Sequence, residues 1–372
     1  DFATTALEEA ARDILDGIEG RRARVEALYN AVCERVKTPG AGTTPAEIWL
    51  EKSGDRDLLL AGLLRAAGIP FQRVMAADKD ALQPHVDWEQ PNPSLFHFPL
   101  FRVPLEGEEQ LFITTRYRLA SPGRIPLSIQ GARGVLAGMA AGRWLQLPSA
   151  PPEDESQALE ATIDLDQADG GVHLVGRVET RRLQGSLMKE QVRSLNPFVR
   201  TTMVERFVQE IFPGARIRSG DFPDLDARGT PFLFTFDIDA PGLLQVEEGS
   251  PTLRSILTPA HLVRAFVRGA SRTYPMQSRA ESLVTERNVI RLGEAYQVEQ
   301  LPADLLLDGP WGSYRLTFRG AGGEITIERR LELRPFRAEP EALGDLIDFC
   351  TRIDRKEEER IRLRRTGNDG GE

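Results

Sequence analysis

Cysteine is scarce in this chain of 372 residues, which contains only Cys33 and Cys350. Two cysteines exclude a disulfide framework, and they do not have the spacing of zinc ligands. Each lies inside a helical pattern, where a thiol usually serves as a small buried apolar side chain. We therefore predict that neither cysteine acts as a nucleophile.

Positive charge is in deficit, because 47 lysines and arginines face 56 aspartates and glutamates, for a net charge of -9. No basic block is free of acids, which disfavours nucleic-acid binding. No apolar run reaches the roughly eighteen residues that cross a membrane, so we predict no transmembrane segment. The chain begins at Asp1 without a methionine or a signal segment, and we expect it to be a fragment that lacks its N-terminus.

Histidine is also rare. The chain has His85, His97, His173 and His261. His85 alternates with Asp87 and Glu89, which on a strand would place three possible metal ligands on one face. Such clusters in proline-rich loops are more often solvated, so we predict no metal site and no cofactor. A histidine-dependent reaction would have to use His97, which alone lies in a suitable part of the chain.

The most informative pattern covers residues 53–69, which open with Ser-Gly-Asp and end with Leu-Leu-Arg-Ala-Ala-Gly-Ile. This segment resembles the nucleophile helix of bacterial transglutaminase-like proteins, a family of the papain-like superfamily. In that family the helix opens with Gly-Asp-Cys and runs into the same apolar sequence before a strand. An ungapped comparison puts the cysteine position on Ser53 and keeps an aspartate at Asp55. The resemblance implies that the fold is retained and the nucleophile is lost.

Ser53 has two interpretations. A cysteine at a helix N-terminus gains its thiolate character from free backbone N–H groups and the helix dipole. A serine hydroxyl is far less acidic and needs an aligned base. The second interpretation is that Ser53 is the N-cap, with Asp55 and Asp57 in the first turn. We favour the cap and predict a helix over Ser53–Ala67 that is closed by Gly68.

The other two triad positions also depart from the family pattern. The resemblance places the histidine position on Phe98, with His97 one residue earlier in a strand predicted over residues 96–103. Neighbouring strand residues face opposite sides of a sheet, so His97 is expected to point away from Ser53 unless the strand carries a bulge. The acid position falls on Thr114, with Ile113 as the choice one residue earlier, and neither is a carboxylate. We predict a degenerate catalytic site in which all of these positions are vestigial.

The patterns predict an α+β protein with two domains. The resemblance implies a papain-like, transglutaminase-like domain over residues 1–147. Residues 148–156 combine prolines with acidic residues and are interpreted as a linker. Residues 157–372 alternate apolar and polar side chains over many short segments, which predicts a mostly antiparallel β-rich domain with inserted helices.

Two local signals refine the second domain. Gly-Ala-Gly-Gly at residues 320–323 predicts the turn of a hairpin. A terminal helix is predicted near residues 339–355. Gly-Pro-Trp-Gly-Ser-Tyr-Arg-Leu at residues 309–316 also resembles the mostly β domain that follows the catalytic-type domain in transglutaminase-like envelope proteins.

The resemblance implies a function as a catalytically inactive module that binds a protein or peptide, or that has a structural role. It also implies a bacterial periplasmic or envelope location. Recognition would use the former substrate cleft, since apolar and aromatic side chains suit an extended peptide. The expected lining is Trp49, Ser53, Trp88, His97 and Phe98.

Three alternatives stay open. The first domain is a rigid spacer if its cleft is filled. A serine-dependent amidase, peptidase or acyltransferase would use Ser53 as nucleophile and His97 as base, with Thr114 or a backbone carbonyl orienting the imidazole. A carbohydrate-binding module would present Trp49 and Trp88 as exposed, coplanar rings.

Overall fold

The chain divides into two compact units in a computed structural model. The described residues are 2–38, 40, 42–78, 93–137, 143–165, 171–247, 249–267, 273–278 and 281–366. The first unit comprises residues 1–150, 182–190 and 226–230, and the second comprises 151–181, 191–225 and 231–372. Within the linker predicted at residues 148–156, Pro152–Glu155 forms a 3₁₀ turn and a strand begins at Ser156.

The first unit opens with helices, of which the last is buried on all sides, since every residue from 59 to 64 is buried. The helices are α1 (Phe2–Ile14), α2 (Arg21–Arg35), α3 (Pro45–Glu51) and α4 (Arg56–Ala66). On α2 the buried face carries Val25, Leu28 and Val32, at helical spacing. A capping box starts α3, because the Thr44 hydroxyl accepts from the Glu47 N–H and the Glu47 carboxylate accepts from the Thr44 N–H.

An antiparallel sheet completes the first unit. Its strands are β1 (Gln72–Ala77), β2 (Phe96–Pro104), β3 (Gln110–Ile113), β4 (Arg133–Leu136) and β5 (Trp144–Gln146), in the order β3-β2-β1-β4-β5. Alternation along β2 sends Phe101 and Val103 into a core shared with α1 to α4. It sends Phe98 and Leu100 into a second core on the opposite face. The sheet therefore separates two apolar clusters.

The helix predicted over Ser53–Ala67 differs from α4 at its start and agrees with it at its end. The helix begins at Arg56, so Ser53 lies outside it. At the other end Gly68 has a φ of +65°, and the Ile69 N–H donates to the Leu64 carbonyl at 2.9 Å. This is a Schellman motif, which needs the left-handed conformation that glycine adopts without strain. The predicted glycine cap is confirmed.

The second unit is built mainly from strands. They are β6 (Ser156–Asp164), β7 (His173–Thr180), β8 (Arg216–Asp221), β9 (Phe232–Asp239), β10 (Leu244–Glu247), β11 (Ser250–Arg254), β12 (Met276–Ser278), β13 (Ser282–Arg291), β14 (Tyr296–Gln300), β15 (Leu305–Gly309), β16 (Gly312–Ala321), β17 (Glu324–Leu333), β18 (Phe336–Ala338) and β19 (Arg360–Arg365). The largest sheet has the order β15-β16-β17-β13-β6-β7-β9-β8. A four-stranded sheet has the order β10-β11-β19-β14, and β12 pairs with β18. The β6–β13 ladder is parallel, and every other ladder between the described strands is antiparallel.

Helices are inserted between these strands along the chain, and the part of the first of them up to Glu190 belongs to the first unit. The helices are α5 (Arg182–Ser194), α6 (Pro197–Ile211), α7 (Leu262–Phe266) and α8 (Leu343–Glu358). The terminal helix α8 begins and ends later than the predicted range of 339–355. Gly322 and Gly323, both with positive φ, turn the β16–β17 hairpin where the glycine run predicted it. The described chain is thus α+β with mostly antiparallel sheets, as predicted.

Arg329 on β17 is the charged centre of the second unit. Its side chain is only 1% exposed. Its Nη1 lies 3.0 Å from Glu357 Oε1 on α8, and its Nη2 lies 3.7 Å from Glu286 Oε2 on β13. Nη1 also donates to the Thr258 carbonyl at 2.7 Å. Because one guanidinium faces two buried carboxylates, other donors must satisfy the remaining carboxylate oxygens.

The loop before α7 supplies most of those donors. The Leu257 N–H donates to Glu286 Oε1, and the Ala260 N–H donates to Glu357 Oε2, each at 2.6 Å. Asn288 Nδ2 adds a bond of 2.7 Å to Glu286 Oε1. Burial raises the pKa of Glu357, and the guanidinium beside it opposes that rise. The network thereby joins the loop, two strands and α8.

We expect Arg329→Ala to lower the free energy of unfolding by about 3–5 kcal/mol, because it leaves two buried carboxylates without their countercharge. Arg330→Ala is the matched control, since Arg330 is the next residue on β17 but pairs with Glu153 and Glu332 at the surface. Exposed pairs contribute little, so the control should stay near wild type. Urea unfolding of the full chain measures both. Equal losses in the two variants would contradict the role of the network.

Candidate functional site

Ser53 lies between α3 and α4, in an isolated parallel bridge with Thr38. The N–H of Gly54 donates to the Thr38 carbonyl at 3.4 Å. The Ser53 side chain packs so closely on Gly40 that a β-carbon at residue 40 would lie 1.7 Å from Ser53 Oγ. Within the described ranges the hydroxyl has no hydrogen-bonded base. The position that aligns with the family nucleophile is therefore held against the backbone.

Asp55, and not Ser53, caps α4. Its Oδ1 accepts from the Asp57 N–H at 2.7 Å and from the Leu58 N–H at 3.3 Å. The favoured interpretation of Ser53 as the N-cap is thus wrong, since a carboxylate two residues later takes the free N–H groups. A carboxylate there also offsets the positive end of the helix dipole, which in the family pattern would favour a thiolate.

Asp57 links the start of α4 to the segment after β3. Its Oδ1 accepts from Thr115 Oγ1 at 2.5 Å and from the Thr115 N–H at 3.2 Å. Burial raises the pKa of Asp57, and the two bonds from Thr115 oppose the rise. The acid position Thr114 is buried, and its Oγ1 accepts from the Arg116 N–H at 3.3 Å. Thr114 therefore stabilises a turn and orients no histidine among the described residues.

His97 occupies a bulge on β2. Ala76 pairs with Phe98 and Ala77 pairs with Phe96, so His97 has no partner on β1. The two phenylalanines on either side are buried, whereas the His97 side chain is 54% exposed. Phe98 belongs to the core on the face opposite α4. The histidine position of the family is thus filled by a core side chain that faces away from the helix after Ser53.

The partner of His97 is Asp78, which follows β1. His97 Nε2 lies 3.3 Å from Asp78 Oδ2, while Asp78 Oδ1 is buried and has no hydrogen-bond partner in the described part of the chain. Burial raises the pKa of nearby Tyr117, and Asp78 adds to that rise. A carboxylate beside an imidazole orients the ring. The pair can act as an acid–base pair, but it is not connected to Ser53 by a described hydrogen bond.

Trp49 is held by a contact within the fold. The Arg35 guanidinium carbon lies 3.9 Å from the centre of the Trp49 ring, and Arg35 Nε donates to the Trp49 carbonyl at 2.5 Å. Trp49 also packs partly on the helical core. Its ring is therefore covered on one face. Trp88 lies outside the described residues, as do His85, Asp87 and Glu89.

The sequence reasoning missed the two aspartates that shape this region. Asp78 could have been found, because it directly follows a short apolar strand next to the strand of His97. Asp55 could also have been found, since aspartate is as good an N-cap as serine and lies closer to the leucine run. The attachment of Thr115 to Asp57 had no local signal, because it joins residues 58 positions apart.

The comparisons with known proteins concern the fold. A crystal structure from Parabacteroides distasonis ATCC 8503, named a "putative protease", matches with a TM-score of 0.52 at 11% identity. The match covers 97% of this chain and 57% of that protein. The chain thus spans little more than half of that relative's length. At this identity the likeness shows the fold alone.

One family also matches part of the chain. It is described as a domain of unknown function with a solved structure, DUF3858, and it matches residues 253–363. This segment contains Arg329 and its carboxylate partners in the second unit. No curated protein matches the chain.

Among the described residues, no three histidine, cysteine, aspartate or glutamate side chains are grouped as metal ligands would be. None of the helices in the described ranges has the length and apolar character needed to cross a membrane.

Asp57→Asn tests the link between α4 and Thr115. The asparagine oxygen can still accept both bonds, but the cost of burying a charge is removed. A folded-state pKa above the unfolded value means that stability is lost as pH rises through it. We therefore expect the variant to gain stability relative to wild type as pH rises from about 3 to about 7. Urea unfolding across this range measures the difference, and Glu108→Gln on an exposed turn is the control. A difference that does not change with pH would contradict the assignment.

The two cysteines should be inert in the folded chain. Both are buried, burial raises the pKa of Cys33, and burial with the nearby Asp354 raises the pKa of Cys350 to about 12. Thiolates are the reactive species, so we expect negligible labelling by Ellman's reagent at about pH 8. Both thiols should react once guanidinium unfolds the chain. Rapid labelling of either cysteine in the native protein would overturn the prediction that neither is a nucleophile.

Proposed function

We propose that the chain is a catalytically inactive transglutaminase-like module that binds a protein or peptide partner, or serves as a structural part of an assembly. The observation that carries the proposal is the state of Ser53. Its hydroxyl packs on Gly40 and lacks a described histidine partner. An unassisted serine hydroxyl is a weak nucleophile at neutral pH.

The neighbouring positions support the same conclusion. The family's histidine position is occupied by Phe98, which lies in an apolar core. The acid position is occupied by Thr114, whose hydroxyl bonds a turn. The N–H groups at the start of α4 are satisfied by Asp55. Catalysis by this family's route needs a nucleophile, a base and an orienting group together, so three departures argue against it.

A binding role suits what remains of the site. His97 is exposed, and its pairing with Asp78 gives it a fixed orientation. Recognition in the former cleft would involve Ser53, His97, Trp49 and Trp88, with Phe98 supporting the strand from beneath. The papain-like fold of the first unit and the vestigial nature of these positions are parts of this proposal.

The cellular setting is also part of the proposal. We infer a bacterial envelope or periplasmic location from the resemblance to transglutaminase-like envelope proteins. The structural relative comes from Parabacteroides distasonis, and this chain spans 57% of it. The activity and the partners of the whole protein are therefore also parts of this proposal.

The alternative is a serine-dependent amidase, peptidase or acyltransferase that uses Ser53 and His97. Two observations favour it. The structural relative is named a "putative protease", and His97 has an aspartate at 3.3 Å, as a catalytic base would need. It requires Ser53 to leave Gly40 and approach His97.

Reactivity distinguishes the two functions. The full chain is incubated with a fluorophosphonate probe and, separately, with a glutamine donor and a fluorescent amine. We expect wild type, Ser53→Ala and His97→Ala to give the same background, because no aligned base activates the hydroxyl. Ser149→Ala, at an exposed serine, controls for nonspecific labelling, and circular dichroism confirms folding.

Labelling of wild type that disappears in both Ser53→Ala and His97→Ala would establish the serine hydrolase and reject the inactive module. Amine incorporation with the same dependence on Ser53 and His97 would establish an acyltransferase and would also reject the inactive module.

A further inference from the structure

A groove of about 670 Å³ runs along the outer edge of β3 in the first unit. The strand order leaves β3 at the edge of its sheet, with β2 as its neighbour. One wall is formed by a row of side chains on one face of α2, spaced four residues apart. They are Arg22, Glu26, Asn30 and Glu34. The other wall is the loop 121–124. A groove between a helix and a sheet edge is a recurrent geometry for binding an extended peptide.

The backbone of β3 presents unused hydrogen-bonding groups to this groove. The Leu105 N–H donates to the Glu109 carbonyl at 2.9 Å, which makes this a hydrogen-bonded pair. Hydrogen-bonded pairs alternate along an antiparallel ladder, so Leu111 and Ile113 bond to β2. Gln110 and Phe112 then point their N–H and carbonyl groups outward. Neither residue has a backbone partner on that side within the described residues.

Hydrogen bonds fix both walls of the groove. Arg21 Nη1 donates to the Pro104 carbonyl at 3.1 Å, which holds the start of α2 against the β2–β3 hairpin. The buried Tyr29 hydroxyl, also on α2, donates to the Ala120 carbonyl at 3.1 Å and thereby anchors the loop 121–124. Because these contacts already exist, an incoming strand would meet a preorganised groove.

One of the arginine side chains that line the groove has no carboxylate partner. Arg22 pairs with Glu26, and Arg228 pairs with Glu34, each at 3.6 Å. Arg124 has no ion pair within the described residues. Burial lowers the pKa of Arg182 to about 10, and the nearby positive charge of Arg124 contributes to that shift. The local potential at this end of the groove therefore favours an anionic group.

We propose that this groove binds an extended, acidic segment of a partner protein, which adds to β3 as a further strand and places a carboxylate beside Arg124. The free backbone groups of Gln110 and Phe112 supply main-chain hydrogen bonds, and Arg124 supplies charge selection. Charge complementarity with Arg124, which lines the groove, is the reason for choosing an acidic partner segment as the occupant. The site goes beyond the proposed function, because it uses none of the vestigial triad positions.

Synthetic peptides test the proposal on the full chain. The probes are fluorescein-labelled pools of about eight residues, rich in Val, Thr and Ile, with a central Glu, Gln or Lys. We expect the Glu pool to bind most tightly by fluorescence anisotropy. In backbone amide NMR spectra of the full chain, it should shift the resonances of Gln110 and Phe112.

Two further experiments measure separately the contribution of main-chain hydrogen bonds and the contribution of the Arg124 charge. One set of peptides is N-methylated at the odd-numbered residues and a second set at the even-numbered residues, which are the two N-methylation phases. One phase should weaken binding about tenfold and the other should leave it unchanged, because only every second N–H of the added strand faces β3. Arg124→Gln should weaken the Glu pool about fivefold and leave the Gln pool unchanged. Arg143→Gln, at an exposed arginine of the same unit, is the matched control and should have no effect.

Several outcomes would overturn the proposal. They are absence of binding by every pool, equal effects of both N-methylation phases, and equal effects of Arg124→Gln and Arg143→Gln. Concentration-dependent dimerisation that broadens Gln110 and Phe112 would instead assign the edge to a second copy. A positive result with the fluorophosphonate probe would leave this test intact, so the failure of one proposal is distinguishable from failure of the other.

Discussion

Burial of the Arg329 guanidinium between Glu286 and Glu357 is the constraint on which the second unit depends. The four oxygens of Glu286 and Glu357 have donors, whereas Arg329 Nε and Asn288 Oδ1 are buried without a hydrogen-bond partner in the described part of the chain. Charges removed from water are costly unless they are paired and hydrogen-bonded. That demand determines where the loop before α7 can lie, because its backbone N–H groups complete the two carboxylates. It also determines the position of α8 on the sheet. The segment that matches the DUF3858 family, residues 253–363, contains this entire arrangement.

In the first unit the polar groups near the start of α4 mainly stabilise structure. Asp55 satisfies the free N–H groups of the helix, and Asp57 holds Thr115. Thr114 bonds a turn, and the Ser53 hydroxyl packs on backbone. A catalytic centre needs such groups to be available to a substrate and poised at suitable pKa values. Their use within the fold is the reason that we propose binding, and not catalysis, for this unit.

Local signals in the sequence were sufficient for several elements. Gly68 ended α4 and the glycine run at residues 320–323 turned a hairpin, because left-handed backbone favours glycine wherever it occurs. The predicted start of α4 was wrong, since Ser53 and Asp55 are both good caps and the structure places Asp55 at the N-cap. The bulge at His97 could not be predicted from the sequence, because it is a property of the register between β1 and β2.

The amino-acid sequence by itself determined the α+β class and the mostly antiparallel second half. These properties follow from periodicity, turn residues and composition, which act over a few neighbouring residues. Tertiary structure alone decided that Asp78 meets His97, that Thr115 meets Asp57 and that Arg329 lies between two carboxylates. Each of these pairings joins residues distant in the chain, so it depends on how strands and helices pack. Side-chain pairing at such distances is set by the fold, and no local pattern in the sequence specifies it.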